Sequence, residues 1–212
     1  CRTEKGTSAY TFCMCPGGTV VAAASEEGGV VTNGMSYSGR DLENANSALL
    51  VTLMPEDFPY PGVMGGVIWQ REIERKAYQL GKGYFAPAQL LGDFLEKKPS
   101  SGYRSVRPSY RPGVYFTELE KVLPEKITET LREAIPLFAR KLKGFDDPDA
   151  VLTAPETRSS SPVRILRGET RETDIAGIYP AGEGAGYAGG IVSAAVDGLL
   201  TAEAILAKKT EI

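Results

Sequence analysis

The stretch that most constrains this chain lies near its end: Ile178-Tyr179-Pro180-Ala181-Gly182-Glu183-Gly184-Ala185-Gly186-Tyr187-Ala188-Gly189-Gly190-Ile191. Five glycines fall within the nine residues from Gly182 to Gly190, with one acid among them. Glycine allows sharp turns and lets a ligand approach the peptide groups closely. A helix that starts after such a turn aims unpaired N–H groups and the positive end of its dipole at whatever sits in front of it, which favours an anion. Gly182, Gly184, Gly186 and Gly189 can be placed on a dinucleotide fingerprint, but that motif requires a second strand after the helix and an acid about 20 residues on. Here the helix runs almost to the last residue, so the stretch can only close a nucleotide-binding unit. Tight helix–sheet packing would account for one or two glycines; five favour contact with a cofactor.

Composition narrows the chemistry. Hydrophobic residues make up 42% of the 212 and charged residues 24%, as in an ordinary soluble protein. The net charge of −3 gives no global attraction to nucleic acid or an anionic membrane. No apolar run reaches the ~20 residues needed to span a bilayer. The chain has no histidine, which removes Ser-His-Asp and Cys-His catalysis and imidazole-dependent metal sites. No metal is expected. Cys1, Cys13 and Cys15 do not form a disulfide framework, so a cytoplasmic setting is expected. The opening Cys1-Arg2-Thr3, without an initiating Met, reads as the start of a fragment of a longer protein.

Hydrophobic patterning predicts an α+β fold. Strands are expected at Tyr10–Met14, stopped by Pro16-Gly17-Gly18, and at 19–24 and 30–32 around a hairpin loop at 25–29. Asn33-Gly34 reads as a turn, and 47–54 as a buried strand. Trp69, Ile73, Ala77 and Leu80 form one helix face, and a shorter helix is expected from Pro87 to Lys97. Pro124 opens a helix with the stripe Ile127, Leu131, Ile135, Phe138 and Leu142, kinked or divided at Pro136 and stopped at Gly144. Residues 150–153 and 175–179 read as short strands. The final helix, from Tyr187 to Lys208, carries apolar residues most of the way round and is expected to be buried on several sides.

Several blocks resemble the bacterial family of uncharacterised FAD-dependent dehydrogenases, within the NAD(P)/FAD-dependent oxidoreductases of glutathione-reductase-type fold. They are Tyr10-Thr11-Phe12-Cys13-Met14-Cys15-Pro16-Gly17-Gly18, Val31-Thr32-Asn33-Gly34-Met35-Ser36, Asn44-Ala45-Asn46-Ser47-Ala48, Glu156-Thr157-Arg158-Ser159-Ser160-Ser161-Pro162-Val163-Arg164, and Gly182 to Gly190. The resemblance implies an inserted substrate-side domain over 7–150 and the C-terminal part of an FAD-binding domain over 151–212, with 1–6 a candidate edge of the latter. It implies cofactor contacts from Gly182, Glu183, Gly184, Ala185, Gly186, Tyr187, Ala188, Gly189, Gly190 and Ile191. Glu183, where the wider superfamily usually has Asp, would bind a sugar-chain hydroxyl of FAD. The N-terminal Gly-x-Gly-x-x-Gly unit is absent. The expected partner is therefore a missing N-terminal FAD-domain half, and FAD should bind weakly or not at all to this chain alone.

Cys13, Pro16, Gly17 and Gly18 are candidates for lining the flavin or substrate pocket, as are Arg158, Ser159, Ser160 and Arg164, whose groups can donate to phosphate or carboxylate. Cys-x-Cys on a strand would put both thiols on one face; buried structural cysteine is the expectation, with redox pairing the sharper alternative. The interleaved Tyr103, Arg104, Arg107, Tyr110, Arg111 and Tyr115 read as a solvated loop. The function expected is FAD-mediated hydride or electron transfer to an unknown substrate, with NAD(P)H a candidate donor. No residue is assigned a catalytic role. The alternative is a non-enzymatic module that binds an anionic ligand or a partner chain.

Overall fold

A computed structural model describes residues 1–210. It is of α+β class, with two three-stranded sheets and four helices among the described residues. The chain divides into two units. The first comprises Cys1–Asp57 and Gln70–Thr157; the second comprises Phe58–Trp69 and the described residues from Arg158 onward.

In the first unit, β1 (Ala9–Ala22), β2 (Thr32–Ser36) and β3 (Asn44–Val51) form an antiparallel sheet in the order β2-β1-β3. Pro16-Gly17-Gly18 does not end the first strand as expected. β1 continues through it by shifting register against β3 between Phe12 and Cys15 and again between Cys15 and Gly18. Such bulges absorb a proline's missing donor. Cys13 and Gly17 take the left-handed backbone there, at φ 52° and 51°. A Cβ on Gly17 would lie 2.0 Å from the Arg40 carbonyl oxygen, and one on Gly18 would lie 2.4 Å from that of Met35. Asn33-Gly34, expected as a turn, lies inside β2, where Gly34 pairs with Val20. The Asn46 side chain occupies the space beside it: a Cβ on Gly34 would be 2.1 Å from Asn46 Oδ1. The hairpin loop is longer than the expected 25–29, because β1 stops at Ala22 and β2 starts at Thr32. Val30 and Val31 are buried outside the ladder: the Val30 N–H donates to the Glu74 carbonyl, the Val31 carbonyl accepts from Ala23, and the next residue, Thr32, donates to the Pro155 carbonyl.

The second sheet places β4 (Ala86–Leu90) between β5 (Val114–Phe116), parallel, and β6 (Val151–Thr153), antiparallel. The helix expected from Pro87 to Lys97 is instead this strand followed by one short helix, α2 (Leu91–Leu95). Every residue of β4 is buried, so the strand lacks the alternation that would reveal it. The buried Gln89 links it to both ends of the connection to β5 and beyond: its Nε2 donates to the Lys98 carbonyl at 2.8 Å, and its Oε1 accepts from the Leu119 N–H at 2.9 Å. Ser100 Oγ accepts from the Leu90 N–H at 2.9 Å and donates to Asp93 Oδ2 at 2.7 Å.

Helix α1 (Gly65–Leu80) buries Ile73 and Ala77 of its expected face. Helix α3 (Glu125–Ala139) follows Pro124 and runs through Pro136 undivided. Pro136 sits in the last turn, where few bonds depend on its missing donor. The helix stops at Ala139, before Gly144, as Lys141 and Leu142 both donate back to the Phe138 carbonyl. Four of the five expected stripe residues pack inward, while Leu142 lies beyond the helix and is exposed. Leu131 and Ile135 join Leu91, Phe94, Leu119 and Ala154 in one buried cluster, and Phe138 joins Ala9 and Ala134 in another. Each such Leu, Ile or Phe contributes about 1.5–3 kcal/mol by its burial.

The second unit has little regular structure besides α4 (Ile191–Thr210). The strand expected at 175–179 is not formed. No strand lies beside it among the described residues, and the backbone closes on itself, with Thr173 N–H donating to the Ile178 carbonyl and Ile178 N–H to that of Ile175. Helix α4 begins at Ile191, not Tyr187. Gly182 and Gly186 take φ 71° and 82°, which an L-residue helix cannot continue, and Ser193 caps the later start by bonding Gly190 through both its N–H and its carbonyl. Nor is α4 buried on several sides, because Ile191, Val192, Val196, Leu199, Leu200 and Leu206 are all exposed. Among the described residues no helix is long and apolar enough to cross a membrane.

Candidate cofactor-facing site

The glycine stretch is held by charge rather than by a core. Asp197, from the second turn of α4, receives the Gly182 N–H on Oδ2 at 2.8 Å. Arg167 grips the same carboxylate with two nitrogens, at 2.9 Å on Oδ2 and 2.6 Å on Oδ1. Arg171 adds a bond to Oδ1 at 2.8 Å. Arg167 also donates to the Pro180 carbonyl at 2.7 Å, so it clamps the chain on both sides of Ala181. Bidentate arginine–carboxylate bonds are among the strongest and most directional in proteins. The Arg167 hydrogen bonds, seconded by the Gly182 N–H, hold the Asp197 carboxyl well below the ordinary carboxylate range, and Asp197 in return raises the Arg167 pKa. Thr201, one turn on, donates to the Asp197 carbonyl at 2.7 Å and lies 3.2 Å from Arg171.

Past Gly182 the loop folds back on the polar block before it. Arg164 Nε donates to the Gly186 carbonyl at 2.9 Å, and Ile165 N–H to that of Ala185 at 3.2 Å. The Tyr187 ring lies under two guanidinium groups, Arg167 at 3.6 Å and Arg164 at 5.1 Å, a cation–π arrangement. The five glycines then separate into two kinds. Gly182 and Gly186 have positive φ, and a Cβ on Gly186 would lie 2.6 Å from the Val163 carbonyl oxygen. The chain's own conformation accounts for these two. Gly184 and Gly189 have nothing within 4 Å of a Cβ position, and Gly190 has only its capping Ser193. Neither backbone angle nor packing among the described residues explains them, and at Gly184 and Gly189 the backbone is open on the side a side chain would take. Glu183 is half-buried, and its carboxylate makes no hydrogen bond or ion pair among the described residues. Ala185 is buried, Ala188 half-buried, and Ile191 exposed at the start of α4.

Of the polar block, Arg164 supports the loop as described, while Ser161 turns the chain by bonding Val163. Arg158 and Ser160 are exposed and Ser159 is half-buried. The preceding Thr157, in the first unit, is tied to α1 by Gln70, which donates to its carbonyl at 2.8 Å, and by its own hydroxyl donating to Glu74 at 2.5 Å.

The remaining candidates, Cys13, Pro16, Gly17 and Gly18, belong to the first unit. There the sheet unites three of the motif blocks, pairing Cys15 with Asn46, and Gly18 with both Ser36 and Asn44. The cysteines are thiols and are not buried as expected: Cys1 and Cys13 are exposed and Cys15 is half-buried. The bulge at Cys13 interrupts the alternation that would set both side chains on one face, and Cys15 Sγ instead donates to the Cys13 carbonyl at 3.1 Å. Gly17 and Gly18 are accounted for by backbone crowding. The amide of Asn46 is buried with no hydrogen-bond partner among the described residues. In the basic–aromatic loop, Arg104 is engaged by Asp93 and Asp149, and Tyr110 is buried rather than solvated. No group of three or more acids or cysteines could hold a metal ion among the described residues.

Sequence reasoning missed Asp197, Arg167 and Arg171. The available signal was an isolated acid in the first turns of an otherwise apolar helix, a position that calls for a buried cationic partner.

Two comparisons with known proteins bear on this geometry. An uncharacterized protein of Clostridium beijerinckii is 54% identical over 201 residues, which are 94% of this chain and 38% of the relative. The chain thus spans well under half the length of that relative. The family described as FAD-dependent protein, C-terminal domain-like, matches residues 1–159, ending before the glycine stretch. With 159 of its 212 residues so matched, the chain belongs to the family of FAD-dependent protein C-terminal domains.

Proposed function

We propose that this chain is the C-terminal part of a flavin-dependent oxidoreductase of dehydrogenase type, with a glutathione-reductase-type FAD domain completed by a polypeptide half that carries the adenosine-binding unit. FAD, when bound, supplies the hydride or electron transfer, and the protein positions it. The observation that carries the reading is the pair of open glycines, Gly184 and Gly189, on a loop that Asp197 and Arg167 hold in place. Open peptide groups, the unpaired N–H groups of the first turn of α4 and an unpartnered half-buried carboxylate suit the phosphates and hydroxyls of FAD. In this reading Gly182 to Ile191 face the cofactor, and Glu183 binds a sugar-chain hydroxyl. In the second unit Arg158, Ser159, Ser160 and Arg164 are proposed flavin- or substrate-facing residues, as, separately, are Cys13, Pro16, Gly17 and Gly18 in the first. NAD(P)H is the proposed electron donor. The cytoplasm is the proposed setting, on cysteine usage alone.

The test is made on the full-length gene product, purified gently with FAD present. A yellow protein reducible by NAD(P)H is expected, and Glu183→Ala should weaken flavin binding by about tenfold or more, the worth of one hydrogen bond to a charged group. A colourless protein that retains no flavin overturns the reading in favour of a binding module without turnover. Unchanged flavin affinity in the variant removes Glu183 from the site.

A further inference from the structure

Helix α4 faces the opposite way from an ordinary surface helix, which turns its apolar stripe inward and its polar side to water. Here the buried positions are polar, Asp197 at 9% exposure and Thr201 at 5%, one turn apart. On the far side Val192, Leu199 and Leu206 recur every seven residues at 76%, 67% and 64% exposure, flanked by Ile191 at 91% and Val196 at 49%. The helix cannot roll to hide this stripe, because the roll would break the Arg167 and Arg171 bonds to Asp197 and its bond to Gly182. Its outward orientation is therefore built in by the clamp. Contiguous apolar surface of this kind marks an interaction site.

We propose that the outward stripe of α4 is the docking surface for the part of the flavoprotein polypeptide that lies outside these 212 residues; this rests on the proposed function above. The argument for that occupant is one of length and tethering. In the C. beijerinckii relative the matching region is only 38% of the polypeptide, so the larger share is tethered to it in the same chain. A tethered partner acts at an effective concentration of order millimolar, which a second copy of the chain must outcompete. The partner presents an apolar face long enough to cover four helical turns and needs no complementary charge before Glu203, the first charged residue on the outward side.

The experiment uses the full-length gene product with Leu199→Cys, and in a separate sample Lys143→Cys, an exposed site in the first unit. Maleimide labelling is followed by peptide-resolved mass spectrometry. Leu199→Cys should label at least tenfold more slowly than Lys143→Cys at every protein concentration, and a photoreactive side chain at position 199 should cross-link to peptides outside residues 1–212. Equal labelling rates overturn the proposal, as does protection that disappears on dilution, which would identify a second copy. Cross-links confined to residues 1–212 overturn it as well. Flavin content is measured on the same samples. Protection without flavin leaves the docking surface standing and removes the flavin reading; flavin with full labelling does the reverse.

Discussion

The two units of this chain are held together by different physics. The first is conventional: two sheets and α3 enclose Phe94, Leu91, Ile135 and their neighbours, so the apolar side chains are inside. In the second, Ala185 is the one buried residue of the aliphatic and aromatic kinds among those described, and the interior positions of α4 are an aspartate and a threonine, met by two arginines from the preceding chain. A core stabilises without direction and tolerates neighbours of similar size. A carboxylate shared by two guanidinium groups and a backbone N–H is directional, and it fixes one arrangement of the loop. The contrast teaches where shape must be exact in each: volume in the first unit, hydrogen-bond geometry in the second.

The largest effect that sharpens this contrast is expected from Phe94→Ala. It should cost about 3–5 kcal/mol of first-unit stability through lost burial and a residual cavity. The measure is hydrogen exchange at the α3 and β4 amides, with α4 unchanged; a loss spread equally over both units would break the comparison. Next comes Asp197→Ala, which should cost about 2 kcal/mol in the second unit by orphaning two arginines and the Gly182 N–H, read as faster exchange in α4 with α3 unaffected. The same carboxylate gives an acid signature. Its folded pKa is depressed below the ordinary 3.8, so its contribution is complete above that value and is lost as pH falls through the depressed one. The urea midpoint of α4 should therefore fall below about pH 4 in the wild type, and this acid limb should be missing in Asp197→Ala. The smallest effect has the opposite sign. Burial pushes the Glu156 carboxyl up, so its neutral form is the better-tolerated one, and the stability this confers at low pH is lost as pH rises through the raised value. Glu156→Gln should give a small stabilisation of the first unit at pH 7 that vanishes below pH 4, measured by the same midpoint.

What could be read from the sequence follows the same division. Local periodicity is sufficient for the existence of α3, where Pro124 and four of the five stripe residues mark the helix although it stops before Leu142 and Gly144, and for that of β3, which runs over Asn44–Val51 rather than 47–54. It failed where a distant partner decides the conformation. Asn33-Gly34 is a turn signal by itself, but Asn46 needs the space over Gly34 and the pair makes it strand. Pro87 looks like a helix start until β5 and β6 are placed on either side. The apolar circumference of α4 suggests burial all round, and only Arg167 and Arg171, far upstream in the chain, reveal which side is inward. At the candidate site the glycines and Glu183 were legible as residues. Which of the glycines are explained by the chain's own turns, and which remain open, depends on φ angles and on the carbonyl of Val163, which no spacing rule encodes.

Gln89 carries a consequence for how this fold can vary. One amide holds Lys98 with its donor and Leu119 with its acceptor, so a single side chain of β4 ties down the chain before and after the segment that returns to the sheet as β5. Between those two points the chain is tied at further places: Ser109 accepts from Thr19 and Val20, the Arg107 carbonyl accepts from Asn44, and Asp149 accepts from Arg104 and Ser105. A change of length between Lys98 and Leu119 would therefore strain several ties at once, and Gln89, which has no isosteric apolar substitute able to serve both bonds, is the position expected to vary least.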